Sequence, residues 1–271
     1  MNQQTRLTIL ASSLILLLAM LACNLPENIP VSLPIELIEQ TETDDQRAET
    51  TAPAPLALIP ISMQDGLASL DSFYLVWSLD MSGDLEERSR MDSSLAYSRE
   101  QDARHMQITS FSADEDSPEG VTESTEQYQV GNELCFFDGE TWAYQEMTDL
   151  QREVSDLVGS IPDMRFPIEN PTLLGEEMVN GVLTNHVRFH LASLGSRSGA
   201  DVQEAGGEYW LAKDGRYLVK YTLTINMRTG PQDDTEAQAV FVTAVYELRD
   251  INQPRTIPLP ADCLAIQTEQ P

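Results

Sequence analysis

Residues 217–227 read Tyr217, Leu218, Val219, Lys220, Tyr221, Thr222, Leu223, Thr224, Ile225, Asn226, Met227. Tyr217, Val219, Tyr221, Leu223, Ile225 and Met227 take every second place, opposed by Lys220, Thr222, Thr224 and Asn226. A period of two sets one apolar and one wet face on an extended chain, the habit of antiparallel sheets. The pattern recurs upstream in Phe73, Leu75, Trp77, Leu79 and Met81, and downstream in Val240, Val242, Ala244, Tyr246 and Leu248. Shorter runs are Met106/Ile108 and Val187/Phe189/Leu191. The turn chemistry agrees. Asp138-Gly139, Asn180-Gly181 and Asp214-Gly215 are pairs that can take the positive φ angles of two-residue hairpins. The expected class is mainly β with few helices, built as an antiparallel meander.

Helix is scarce in the pattern. Leu56 to Leu70 reads as an amphipathic helix before the first strand, weakened at Gly66. Asp149 to Leu157 is a second candidate, with Leu150, Val154 and Leu157 on one face. Asp114 to Glu126 reads as an acidic loop or edge, and Pro162 to Pro171 as irregular chain.

The first residues give an address. Arg6 precedes an almost wholly apolar run from Leu7 to Ala22, which ends Leu18, Ala19, Met20, Leu21, Ala22, Cys23. A short apolar core followed by a small residue before cysteine is an export signal rather than a permanent span. It resembles a bacterial lipobox, in which the cysteine is acylated and the leader is cut before it, with Met20 standing where Leu is usual. The expected organisation is a signal peptide over 1–22, a lipidated Cys23 leading a tether over 23–55, and a folded domain over 56–271. Five prolines, and seven acidic residues against Arg47, keep the tether extended. Acyl chains contribute roughly 0.8 kcal/mol per buried CH₂, so two or three hold the chain on the outer surface of the membrane.

The chain has 271 residues and a formal net charge of −28, from 44 Asp+Glu and 16 Lys+Arg. So acidic a surface repels phosphate backbones, which argues against a nucleic-acid partner. With Lys213 and Lys220 as its only lysines, the chain also lacks a polybasic membrane patch.

No chemistry-bearing motif emerges. His186 and His190 lie in a strand pattern, where four residues span roughly 13 Å, too far for two ligands on one ion. His105 falls opposite Met106 and Ile108, so all three histidines read as surface residues. Gly195 to Gly199 has Arg197 where a nucleophile elbow needs serine. Asp114, Asp116 and Glu119 lack the spacing of a calcium loop. No enzyme activity, metal or cofactor is expected. Cys135 and Cys263 remain as a pair in the exported part, either bridged or two buried thiols. A bridge would tie the C-terminal tail to the central strand and contribute about 4–5 kcal/mol by loop closure.

The order of the short motifs resembles a known group. Asp71-Ser72-Phe73 opens the first strand. Leu174 to Val182 (with Asn180-Gly181) follows, then His186-Val187-Arg188, Glu208 to Arg216, and finally Asp250 to Pro254. Over roughly residues 56–262 this is similar to the LppX/LprG lipoproteins and, more remotely, the LolA/LolB carriers. The resemblance implies a curved, unclosed antiparallel half-barrel with helices on its concave side, carrying lipids through the cell envelope. Phe73, Leu75, Trp77, Leu79, Tyr221, Leu223 and Ile225 would then line a hydrophobic hollow. The partners so implied are the membrane, through the acyl anchor, and a lipid ligand. The same alternation equally fits a filled core, which would make the chain an envelope interaction, sensor or scaffold module binding another protein.

Overall fold

Eleven strands hydrogen-bond side by side in one antiparallel sheet, in the computed structural model of the chain. It describes residues 66–83, 88–114, 117–148, 168–191, 200–214, 217–229 and 238–269. Contacts divide the chain into Met1–Ile59 and Pro60–Pro271, and every described residue belongs to the second unit. Cys23 and the expected signal and tether segments, 1–22 and 23–55, lie outside the described residues.

The strands are β1 (Ser72–Gly83), β2 (Arg88–Ser98), β3 (Ala103–Ala113), β4 (Val121–Val130), β5 (Glu133–Phe137), β6 (Trp142–Glu146), β7 (Ile168–Val179), β8 (Val182–Leu191), β9 (Ala200–Ala212), β10 (Leu218–Thr229) and β11 (Gln238–Arg249). Their order is β6-β5-β4-β3-β2-β1-β11-β10-β9-β8-β7. Each neighbouring pair is consecutive in the chain except β1 with β11, which joins the two meanders at the middle. Edges β6 and β7 do not pair, so the sheet is an unclosed half-barrel. It rolls. Asn180, in the β7–β8 turn, donates to the Leu248 carbonyl on β11 at 2.9 Å, although β9 and β10 stand between them in the order.

The alternation of the sequence becomes rungs across the sheet. Trp77 faces Tyr246, Tyr246 faces Tyr221, Tyr221 faces Tyr209, and Tyr209 faces Val187. Residues directly opposed across antiparallel strands share a face, so this face is apolar over six adjacent strands, from β2 to β8. One cluster gathers its buried residues, among them Phe73, Leu75, Leu95, Phe189, Leu223, Ile225 and Leu248. Burying each such side chain is worth about 1.5–3 kcal/mol, which makes this face the main source of stability. On β3 and β4 the same face turns polar, with Arg104 opposite Gln129 and Met106 opposite Gln127.

Gly207 makes a close approach possible. A Cβ there would stand 1.8 Å from the Thr222 carbonyl oxygen on β10. The space above the glycine is taken by rings from either side, with Phe189 and Tyr221 stacked at 5.5 Å.

Several expectations are corrected. Val121–Glu126 begins β4 rather than a loop. Its residues are polar on both faces, so no apolar period marks it, and pairing with β3 defines it. Ile168–Pro171 belongs to edge strand β7, where a register shift between Glu169 and Thr172 accommodates the proline. Asp138-Gly139 is not a two-residue turn. Phe137 pairs with Trp142, and Asp138 Oδ1 accepts from the Glu140 and Thr141 N–H groups at 2.9 and 2.8 Å, closing a longer loop. Asn180-Gly181 is a two-residue turn, with φ of 50° and 82° between paired Val179 and Val182. Asp214-Gly215 falls partly outside the described residues.

The helices also differ from expectation. Of the candidate over Leu56–Leu70, the described end is a 3₁₀ turn, Leu67–Ser69, whose Leu67 buries in the apolar cluster with Leu70. The candidate over Asp149–Leu157 lies outside the described residues. The described α-helix, α1 (Ala261–Glu269), is on the opposite side of the sheet from the apolar cluster. Cys263 bonds Cys135, which shares a rung with Tyr128, His105, Ala96 and Tyr74, all on the other face from Phe73. The tail before it straps that face: Ile257 buries against Ala96 and Ala103, and its N–H donates to Gln101 at 2.8 Å. The bridged strand, β5, is next to an edge rather than central.

Candidate functional site

Phe73, Leu75, Trp77, Tyr221, Leu223 and Ile225 all lie on the apolar face and are buried, and Leu79 packs beside them half-buried. The alternation that nominated them is therefore the alternation that brings them together. Burial of the phenols pushes Tyr209, Tyr221 and Tyr246 up in pKa, keeping them neutral. The Trp77 indole Nε1 is buried and has no hydrogen-bond partner among the described residues.

A second assembly occupies the opposite face at the β7–β9 end. His186 stacks on Trp210 with centroids 4.3 Å apart. Its Nδ1 is 3.2 Å from Glu177 and its Nε2 is 3.0 Å from Glu208. The Trp210 indole donates to the same Glu177 carboxylate, and Lys220 Nζ sits 4.6 Å from the Trp210 ring centroid. Arg188 donates to Glu208 at 2.9 and 3.1 Å and is the main reason the Glu208 carboxyl is held below its ordinary range. On the other side of the sheet, Lys213 pairs with Glu176 at 2.6 Å, Glu176 sharing a rung with Asn185 and Leu211. Three of the short sequence motifs thus converge here: Leu174–Val182, His186-x-Arg188 and Glu208–Arg216.

The remaining two motifs also meet. The Asp71 N–H donates to Asn252 Oδ1 at 2.8 Å, the Asn252 N–H to the Ser72 carbonyl at 2.8 Å, and Ser72 Oγ to the Gln253 carbonyl at 2.5 Å. These contacts clip the start of β1 to the end of β11. Both meetings satisfy backbone and side-chain polar groups, and neither leaves a nucleophile beside a base.

The histidines are less superficial than expected. His186 and His105 lie on the face away from the apolar cluster, yet each is partly covered by a ring stacked on it, with side-chain exposures of 20% and 23%. Their ring partners are 24 and 23 residues away in sequence, so no local pattern announces them. His190 is exposed on β8, four strand residues from His186. Among the described residues no three His, Cys, Asp or Glu side chains are grouped to hold a metal ion. No described helix is long and apolar enough to cross a membrane.

No protein-family model matches the sequence, and neither does any curated protein sequence. Solved structures do match. The lipoprotein LppX of Mycobacterium tuberculosis aligns over 71% of this chain and 92% of its own, at 12% identity and a TM-score of 0.30. LprF of Mycobacterium bovis aligns over 73% and 95%, at 15% identity and a TM-score of 0.34. A LolA superfamily protein of Nitrosomonas europaea aligns over 70% and 88%, at 12% identity and a TM-score of 0.23.

Proposed function

We propose that the chain is an exported lipoprotein, held on the outer surface of a membrane by acylated Cys23, whose apolar sheet face binds or shuttles a lipid-like ligand. The observation that carries this reading is the continuity of that face, which runs unbroken over six adjacent strands and is crossed by the aromatic row Trp77, Tyr246, Tyr221 and Tyr209. An apolar concavity with a few polar groups set into it suits a ligand that is mostly hydrocarbon. No catalytic residue is part of the proposal.

The test is native mass spectrometry with organic extraction. The full chain carrying Cys23→Ala, so that no acyl group of its own is counted, is purified from the envelope of the expressing bacterium. A stoichiometric co-purified lipid is the expected result. A clean apo mass that added lipids do not change overturns the reading in favour of a protein-interaction or scaffold module. One observation favours that rival: the β7–β8 hairpin exposes Leu173, Leu174, Met178 and Leu183 together at the sheet edge.

A further inference from the structure

The sheet ends on two edges of different character. β6 has five residues and is accompanied by α1, with Cys263 Sγ 3.7 Å from the Ala143 carbonyl oxygen and Gln267 donating to the Tyr144 hydroxyl at 3.0 Å. β7 has twelve residues, and among the described residues its backbone bonds only to β8. Unpaired edges invite a further strand, and folds commonly blunt them with prolines, bulges or charges. Pro171 and the register shift between Leu173 and Gly175 blunt the first half of β7. The second half, from Gly175 to Val179, keeps regular pairing up to the Asn180-Gly181 turn. Val179 pairs with Val182 across that turn, so the alternate residues Met178 and Glu176 turn their N–H and C=O groups to the open side.

Apolar exposure gathers at the same place. Of the eight large apolar side chains exposed among the described residues, Leu173, Leu174, Met178 and Leu183 belong to this one hairpin, and Met178, at 65%, is the most exposed of all. A gathered patch of this kind marks a contact surface. Its charge narrows the partner. The chain carries −28, yet Glu176 is paired with Lys213 at 2.6 Å, and Glu177 lies 3.2 Å from His186 Nδ1 and accepts from the Trp210 indole. Carboxylates already engaged within the chain do not call for a basic strand, and an acidic one meets the repulsion of the whole surface. What fits is an uncharged, apolar strand edge. A second copy presents one, because a two-fold axis sets a patch against itself.

Charge also selects the register. An axis at Glu176 or Glu177 would set like carboxylates directly opposite, which destabilises a strand pair. An axis at Gly175 falls on the register shift. An axis at Met178 puts that residue opposite the partner's Met178, Glu177 opposite the partner's Val179, and Glu176 opposite the partner's Asn180. Leu183 faces Met178 from β8, so the apolar row Leu183–Met178 continues into its own copy across the axis.

We propose that the chain self-associates through the β7 edge, two copies joining antiparallel about Met178 into one continuous sheet. The proposal does not rest on the lipid-binding reading, and its test uses no lipid.

The test uses the full chain carrying Cys23→Ala, in which the Cys135–Cys263 bond leaves no free thiol. With Met178→Cys added, a short bismaleimide is expected to give a covalent dimer, whereas Phe241→Cys, also at an exposed position, gives none. An interface this small makes a weak dimer, so sedimentation equilibrium is run at roughly 100 µM chain. A dimer is expected there, and it tightens as salt screens the two acidic surfaces. Met178→Lys sets two ammonium groups on the axis and is expected to weaken the dimer about tenfold or more, with the melting temperature of dilute protein unchanged. A monomer at every salt concentration overturns the proposal. Equal cross-linking at both introduced thiols, or a dimer that Met178→Lys leaves intact, does the same. A dimer that salt dissociates is an ionic contact elsewhere and overturns it too. Preferential cross-linking of the Met178→Cys chain to an added cysteine-bearing Val-Lys repeat peptide overturns the choice of partner.

Discussion

His186 lies on Trp210 with ring planes 17° from parallel, and His105 lies on Tyr128 in the same way, at 3.8 Å and 12°. In both pairs the residues are direct cross-strand partners, on β8–β9 and β3–β4. In both, a glutamate two residues before the aromatic reaches the histidine Nε2: Glu208 at 3.0 Å and Glu126 at 3.3 Å. One three-residue device is thus used twice, on the face away from the apolar cluster. It lets a polar imidazole be covered without leaving its nitrogen unpaired. Tyr128 contributes its hydroxyl to the same Glu126 carboxylate at 3.1 Å, and burial is the main cause of a phenol pKa pushed up to about 12.

The two devices predict a stability that falls in acid over two windows. Burial is the larger influence on His105 and lowers its pKa from 6.5, against the opposing pull of Glu126. The unfolded chain then binds that proton more readily than the native one, so stability is complete above about pH 6.5 and declines as pH falls toward the lowered value. Glu208 is lowered from 4.5, first by Arg188. Its contribution is present above about pH 4.5 and is lost below. Melting temperature measured from pH 7 to 3 is expected to fall in both windows, with His105→Gln flattening the upper and Glu208→Gln the lower. A His105→Gln profile parallel to the wild type between pH 7 and 5 would remove burial of the imidazole as the cause.

How much of this was legible in the sequence depends on what fixes each feature. The runs Phe73–Met81 and Tyr217–Met227 announce their strands because one buried face is enough to set a period of two. Val121–Tyr128 carries polar side chains on both faces, so only its ladder with β3 reveals it. The shared apolar face of Phe73, Leu75, Trp77, Tyr221, Leu223 and Ile225 is legible for the same reason as the strands, and the motifs Asp71-Ser72 and Asn252-Gln253 are visible as punctuation. That they bond to each other across 181 positions was not. Nor was the side taken by the C-terminal helix, which follows from the parity of Cys135 on β5, a strand of five residues with no alternation of its own.

The Cys135–Cys263 bond spans 128 positions with Cα atoms 6.0 Å apart. In the chain-entropy account a loop of that size is worth about 5 kcal/mol, with about 2–5 kcal/mol lost when such bonds are removed. Beyond the bond, described contacts of α1 include Gln267 to Glu133 at 3.3 Å and to the Tyr144 hydroxyl at 3.0 Å, both exposed. Urea unfolding of Cys135→Ser/Cys263→Ser is expected to show a midpoint well below the wild type, with early proteolysis confined to the tail after Ile257. Equal midpoints with and without reductant would show that the strap holds without the bond.

Two glycines separate backbone freedom from close approach. At Gly207 a Cβ would fall 1.8 Å from the Thr222 carbonyl oxygen, while at Gly181 nothing lies within 4 Å but φ is 82°. Gly207→Ala must push β9 from β10 and is expected to cost about 2–3 kcal/mol. Gly181→Ala meets only the left-handed penalty of about 1–2 kcal/mol. Denaturant titration of both variants ranks them, and a Gly181→Ala variant that is the less stable would mean that turn strain outweighs strand contact.

Leu75→Trp distinguishes a filled apolar face from one that holds ligand. Leu75 is buried between its partners Leu248 and Leu95, beside Phe73 and Trp77 on its own strand. If protein side chains fill the space above it, the added ring overpacks the core and costs about 1–3 kcal/mol, with no change in any co-purified lipid. If hydrocarbon occupies that space, the indole displaces ligand instead of protein, and the apo chain keeps its stability. The expected outcome is a folded variant whose extracted lipid falls to a small fraction of the wild-type amount, with a melting temperature close to that of delipidated wild type. A folded variant with undiminished lipid would take Leu75 out of the binding wall. One that loses stability and never carried lipid would identify the aromatic row as the centre of an ordinary core.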